Sequence, residues 1–160
     1  MPSRKSASTP PFALNLPMPK PGQARTYWRS PASASALAHA VAAAAHQHAG
    51  PILVVARDNH GAQQLETDLH TLLGHVPSLP VLPLPDWETL PYDRFSPHPE
   101  IVSQRLATLA RLPALTRGIV VVPVATLMQR LAPRSHVIGN RFDLKLGQRL
   151  DMDAEKRRLE

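Results

Sequence analysis

Serine, arginine and a helix start are ingredients from which a grip on phosphate could be built, and residues 25–35 of this 160-residue chain supply all three. Arg25 and Arg29 precede Ser30, Pro31, Ala32, Ser33, Ala34 and Ser35, which lead into an alanine-rich stretch. A phosphate-binding loop also needs glycines, so that backbone amides can approach the anion, and a lysine to offset its charge. This segment has no glycine, and no lysine occurs between Lys20 and Lys145. Ser33 and Ser35 are therefore read as helix caps. The competing reading, an unorthodox nucleotide hydrolase in which Arg25 or Arg29 replaces the lysine by pairing phosphate oxygens bidentately, has no glycine cradle to work with.

Other chemistries are poorer still. His39, His46 and His48 could be metal ligands by type, but their spacing spreads them over different helical faces with no acid nearby, so they read as solvated surface histidines. The chain contains no cysteine, which rules out thiolate metal sites, disulfides and cysteine nucleophiles. No serine, histidine and aspartate arrangement marks a triad, and no catalytic residue is assigned.

The elements that would position any site follow from pattern. Ala32 to His48 reads as a helix stopped by Gly50-Pro51. Ile52 to Ala56 reads as a central strand covered on both faces. Leu65, Leu69, Leu72 and Leu73 mark a second helix, with Asp58 or Asn59 as N-cap and Gly74 as terminator. Leu79 to Leu84 is apolar but broken by prolines, which suits a short strand. Glu100 to Leu112 predicts a third helix presenting Val102, Leu106 and Leu109 on its inner face. Gly118 to Val122 is a second buried strand, followed by a short helix through Thr126, Leu127 and Leu131. His136 to Leu150 alternates weakly, as in Phe142-Asp143-Leu144-Lys145-Leu146, and reads as exposed strands. Asp151 or Asp153 caps a last helix, within which the chain reads as cut rather than finished. Alternating helices and branched apolar strands predict an α/β layered domain with a mostly parallel sheet.

With 43% hydrophobic and 19% charged residues the chain is globular in composition. Its formal charge of +6 is lopsided: residues 1–57 hold Arg4, Lys5, Lys20, Arg25, Arg29 and Arg57 and no acid, while the other twelve basic residues are matched by all 12 acids. The excess belongs to this front end, which opens with a proline-rich leader expected to be flexible and able to contact nucleic acid or an acidic partner, and the balanced body argues against a DNA-binding face. No run approaches the roughly 18 to 20 apolar residues of a membrane span, so no membrane association is expected.

One loop stands out. Asp86, Trp87, Glu88, Thr89, Leu90, Pro91, Tyr92, Asp93, Arg94, Phe95, Ser96, Pro97 and His98 crowd aromatic, acidic and proline residues between a strand and a helix. Locally, Trp87, Tyr92 and Phe95 are expected to pin the connection to the core while Asp86 and Asp93 accept from nearby backbone amides. As a string, this segment closely resembles the matching stretch of the bacterial transcription-repair coupling factors, the Mfd family. The resemblance runs on through Ile101 to Leu112, Arg117 to Val124, Thr126 to Arg130 and Gly147 to Leu150, and takes in His48-Ala49-Gly50-Pro51 upstream.

That resemblance implies a RecA-like (P-loop NTPase-like) layered fold, incomplete in this chain, with a degenerate nucleotide loop at Ser30 to Ser35. It divides the chain into a leader (1–23), the first part of a UvrB-like α/β domain (24–133) and the start of a second, UvrA-binding type of domain (134–160). It implies a noncatalytic module of a cytoplasmic DNA-repair protein that helps recruit UvrA to stalled RNA polymerase. ATP, magnesium, duplex DNA and RNA polymerase would be engaged by other domains, and no cofactor or metal is expected here. The family's UvrA-contacting residues lie beyond Glu160, so none is carried onto this sequence.

Overall fold

The two longest helices each begin where a short polar side chain satisfies an amide that has no partner within the helix. In α1 (Ala34–Gln47) that residue is Ser33, whose hydroxyl accepts from the Ala36 N–H at 3.2 Å. In α2 (Asn59–Leu73) it is Asp58, which accepts from the Gly61 N–H at 2.7 Å. The computed structural model describes residues 16–20, 22–29, 33–90, 92–139, 146, 147, 149 and 151–159. Residues 1–15 of the leader and Phe142 to Lys145 lie outside them.

The Asp58 cap carries a pH signature. The Gly61 amide, then the Arg57 guanidinium at 3.2 Å, hold its carboxyl below the usual value near 3.8. A depressed folded-state pKa means a contribution that is fully present above the unfolded value and lost as pH falls through the folded one. Asp58→Asn is therefore expected to flatten the acid limb of the stability curve below about pH 4 and to leave its neutral-pH shape unchanged, as read by urea titrations across that range.

Three parallel strands form the sheet in the order β1-β3-β2, with β1 at Pro51–Ala56, β2 at Val81–Pro83 and β3 at Gly118–Pro123. Pro51 pairs with Gly118 and Ala56 with Pro123, while Val81 to Pro83 run beside Ile119 to Val121. Every residue of β3 is buried, as its unbroken apolar run predicts. One face packs on α2, with Leu65, Leu69 and Leu73 meeting Val81, Ile119 and Val121, and α1 adds Ala38, Val41, Ala42 and Ala45 to the same core. Arg117 ties α1 down by donating to the Ala45 carbonyl at 2.9 Å, one of the acceptors a helix C-terminus leaves open.

On the opposite face α3 (Pro99–Arg111) packs against β2, and α5 (Arg134–Gly139) against α3. This arrangement corrects the reading of β1 as a central strand covered on both sides. It is an edge strand whose Leu53 and Val55 are 57% and 48% exposed, because the second-face helices sit over β2 and leave β1 open among the described residues. Three of the six residues of β1 are apolar side chains on the covered face, and sequence could not show that the other face lacked a cover.

Helix α3 also presents a different face from the one its leucines predicted. Leu106 is 44% exposed and Val102 and Leu109 are half-buried, whereas Arg105 and Thr108 are buried. The reason lies in the chain leaving β2. Ladder pairing ends after Pro83, and the carbonyls of Pro83 and Pro85 need donors that neighbouring proline nitrogens cannot be. Thr108 donates its hydroxyl to Pro83 and Arg105 its guanidinium to Pro85.

After β3 the chain makes α4 (Val124–Leu127), which ends before Leu131, and then α5, where a strand was expected from His136. The Val137 N–H donates to the Pro133 carbonyl and its side chain is buried, a one-turn helix anchored by one apolar residue. Such a short segment has no period to betray it in sequence. Asp151 caps α6 (Met152–Leu159), accepting from the Asp153 and Ala154 amides at 3.1 Å each. Among the described residues no helix is long and apolar enough to cross a membrane.

Candidate functional site

In parallel α/β sheets ligands gather at the carboxyl ends of the strands. Here β1, β2 and β3 deliver three segments to that edge: Arg57 to Asn59, Leu84 to His98, and α4 with its exit through Arg130. Asp86 joins them. One of its oxygens accepts from the Gln129 amide and, at 3.5 Å, faces the Thr126 hydroxyl, while its own N–H donates to the Asn59 side-chain oxygen at 3.4 Å. The Asn59 amide group then donates to Glu88 at 3.2 Å. Asp86 thus bonds to side chains from two other segments rather than to nearby backbone amides, a correction to the local reading. A carboxylate has enough lone pairs to bridge elements, which a loop proline or aromatic residue cannot do.

Trp87 is pinned as expected, with the Arg105 guanidinium 4.0 Å from its ring centroid. Burial pushes the Arg105 guanidinium below its ordinary value, and nearby Asp86 works in the opposite direction. Tyr92 and Phe95, expected to pin the loop, are instead 103% and 81% exposed. The turn explains this. Asp93 Oδ2 accepts from the Leu90 N–H at 2.6 Å while its own amide donates to the Leu90 carbonyl, so Asp93 does bond locally and closes a β-turn with Tyr92 at φ +76°. Glu88 is also held at positive φ, +57°. These two non-glycine outliers turn the crest of the loop outward. Thr89 is half-buried, Ser96 is exposed, and His98 caps α3 by accepting from the Glu100 N–H at 3.3 Å. Pro91 lies outside the described residues.

Between this loop and the exit of α4 runs an open groove of about 700 Å³. Trp87, Leu90, Pro97, Val102 and Met128 make its apolar walls, with Thr89, Gln129 and Arg130 as the polar lining. Leu90 and Met128 are 75% and 85% exposed. Sequence reasoning gave no site role to Asn59, Arg105, Met128 or Gln129. The one available signal was that Arg105 and Thr108 share a helical face opposite the carbonyls of a proline-rich exit.

The head of α1 offers less. Ser30, Pro31 and Ala32 lie outside the described residues, Ser33 uses its hydroxyl on the Ala36 amide, and Ala34 and Ser35 are exposed first-turn residues. Arg25 is directed to the Tyr27 hydroxyl at 3.2 Å, and Arg29 is exposed. Trp28 donates to the Pro17 carbonyl at 3.0 Å, so part of the proline-rich segment lies against the body, beside a cleft that also takes in Met18 and Ile52. His48 is exposed, but His39 and His46 are half-buried rather than solvated, since the inner face of α1 is wide and alanine-lined. No group of three histidine, aspartate or glutamate residues among the described residues could hold a metal ion.

Comparison with known proteins gives a consistent answer. No protein-family model matches the chain. It is 44% identical over 126 residues to the transcription-repair-coupling factor of Escherichia coli K12, covering 79% of this chain and 11% of that protein. The transcription-repair-coupling factor of Haemophilus influenzae is 40% identical over 121 residues, 76% of this chain and 10% of that protein. That of Mycobacterium bovis is 36% identical over 110 residues, 63% and 8% respectively. The chain thus spans about a tenth of the length of the curated relatives it matches. Identity at this level over most of the chain, in relatives that all carry one name, places it in the transcription-repair-coupling factor family.

Proposed function

We propose that this chain is the N-terminal, UvrB-like piece of a transcription-repair coupling factor: a noncatalytic RecA-like layer that helps present UvrA to stalled RNA polymerase in a cytoplasmic repair complex. Residues 24–133 form the first part of that layer, 134–160 begin the second, UvrA-binding domain, and 1–23 form a leader. ATP, magnesium, duplex DNA and RNA polymerase are engaged by domains outside this chain, and the loop from Ser30 to Ser35 is a decayed nucleotide loop.

The observation that carries the reading is the chemistry of the strand ends. Where a nucleotide enzyme would aim cations and amides, this edge carries the carboxylates of Asp86, Glu88 and Asp93. Of the cations at this edge, Arg105 is occupied by the Pro85 carbonyl and the Trp87 ring, and Arg57 by the Asp58 carboxylate. Like charges so placed repel a triphosphate and leave the edge suited to contact with protein.

Two measurements test it. Titration with a labelled ATP analogue up to millimolar concentration is expected to show no saturable binding, and a saturable isotherm lost on Arg29→Ala would overturn the decayed-loop reading. Immobilised UvrA is expected to retain the chain once it is extended through the second domain, and failure to capture that longer chain would remove the recruitment role.

A further inference from the structure

We infer that the groove between the 86–98 loop and Arg130 is a docking cleft for a protein segment that inserts apolar side chains between Leu90 and Met128 and brings a carboxylate to Arg130. The inference goes beyond UvrA recruitment, which concerns residues after this chain's sheet, and either can fail without the other.

Three observations carry it. The first is preorganisation. Trp87 is clamped by Arg105, and Gln129 by Asp86, so two of the lining side chains are already fixed and lose less ordering entropy on binding. The second is exposure without local purpose. Leu90, Tyr92, Phe95 and Met128 are between 75% and 103% exposed, and the turn holds Tyr92 at positive φ, which costs about 1 kcal/mol or more in a non-glycine residue. A loop whose only task was to close the fold would relax that strain and bury its aromatic groups. The third is charge. Among the described residues Arg130 is the only charged one lining the groove, it is exposed, and it makes no hydrogen bond or ion pair with any of them.

An apolar cleft with one available guanidinium at its rim complements an apolar segment bearing aspartate or glutamate. A nucleic-acid strand fits worse, because one arginine at the rim of apolar walls cannot track a run of phosphates. The groove is also large enough for several side chains, the size in which an amphipathic segment seats its anchors.

The test pans a phage-displayed library of random peptides on the full chain and measures synthetic copies of the enriched sequences by fluorescence anisotropy. Enrichment of apolar residues flanked by acids is expected. Leu90→Asp and Met128→Glu are each expected to weaken those peptides about tenfold or more, as loss of an interface anchor does. Both residues are so exposed that the fold tolerates the change, which circular dichroism checks. Arg130→Glu is expected to reverse the preference from acidic to basic peptides. Absence of selective enrichment, or enriched peptides indifferent to all three substitutions, overturns the proposal. So does a salt-sensitive complex with a single-stranded oligonucleotide that is lost in the same variants while no peptide binds. A concentration-dependent dimer abolished by Met128→Glu would place a second copy of the chain there and overturn it as well.

Discussion

Gly118→Ala is expected to destabilise the fold by about 3 kcal/mol or more, seen as a lower urea midpoint with an unchanged slope. Gly118 opens β3 at φ +143°, a conformation that side chains rarely adopt. A methyl group there would stand 2.7 Å from the Pro80 carbonyl oxygen and 3.2 Å from Leu115 Cδ1. The Pro80 carbonyl cannot simply withdraw, because it accepts the Ile119 amide at 2.9 Å and so sets the start of the β2–β3 pairing. Strain and a lost junction therefore add. Gly139→Ala is the matching control: among the described residues nothing lies within 4 Å of its added carbon, and an effect within about 0.5 kcal/mol is expected.

Arg105→Ala is expected to be comparable, about 3 kcal/mol, for a different reason. The side chain is 1% exposed, and its removal leaves the Pro85 carbonyl without its donor, strips the cation from the Trp87 ring and opens a void. An unsatisfied buried acceptor costs about 1 to 3 kcal/mol and a desolvated cation–π contact about 2. Arg105→Lys keeps the charge but not the planar fork that can stack and donate together, and is expected to recover less than half of the loss. Thermal unfolding followed by tryptophan emission reads both effects, since Trp87 reports on the loop directly. If Arg105→Ala unfolded at the wild-type temperature, the clamp on Trp87 would be ornamental.

Helices α1, α2 and α3 and the central strand were legible because their signals are local. Leu65, Leu69 and Leu73 repeat at helical spacing between Asp58 and Gly74, and Gly118 to Val122 has no polar interruption. What sequence did not disclose depends on geometry between segments. A 3.6-residue period does not say which of two adjacent stripes of α3 turns inward, and the choice fell to Arg105 and Thr108 because two proline-flanked carbonyls lay opposite. The Asp86 network links residues 27 and 43 positions apart, so nothing near Asp86 announces Asn59 or Gln129. Tyr92 and Phe95 misled because aromatic residues usually seek burial, and the positive φ that turns the loop crest outward belongs to residue types that seldom adopt it.

The strand order has a consequence for synthesis. β1 and β2 make no ladder with each other, and both wait for β3, which sits between them yet is the last of the three along the chain. As the polypeptide leaves the ribosome, α1 and α2 can associate early, but the outer strands have no mate until Pro123 has emerged. Through that interval the apolar stretch Ile52 to Ala56 is held open to chaperones and to neighbouring nascent chains, so the order in which translation delivers the segments, and not their final stability, sets when this sheet is most vulnerable.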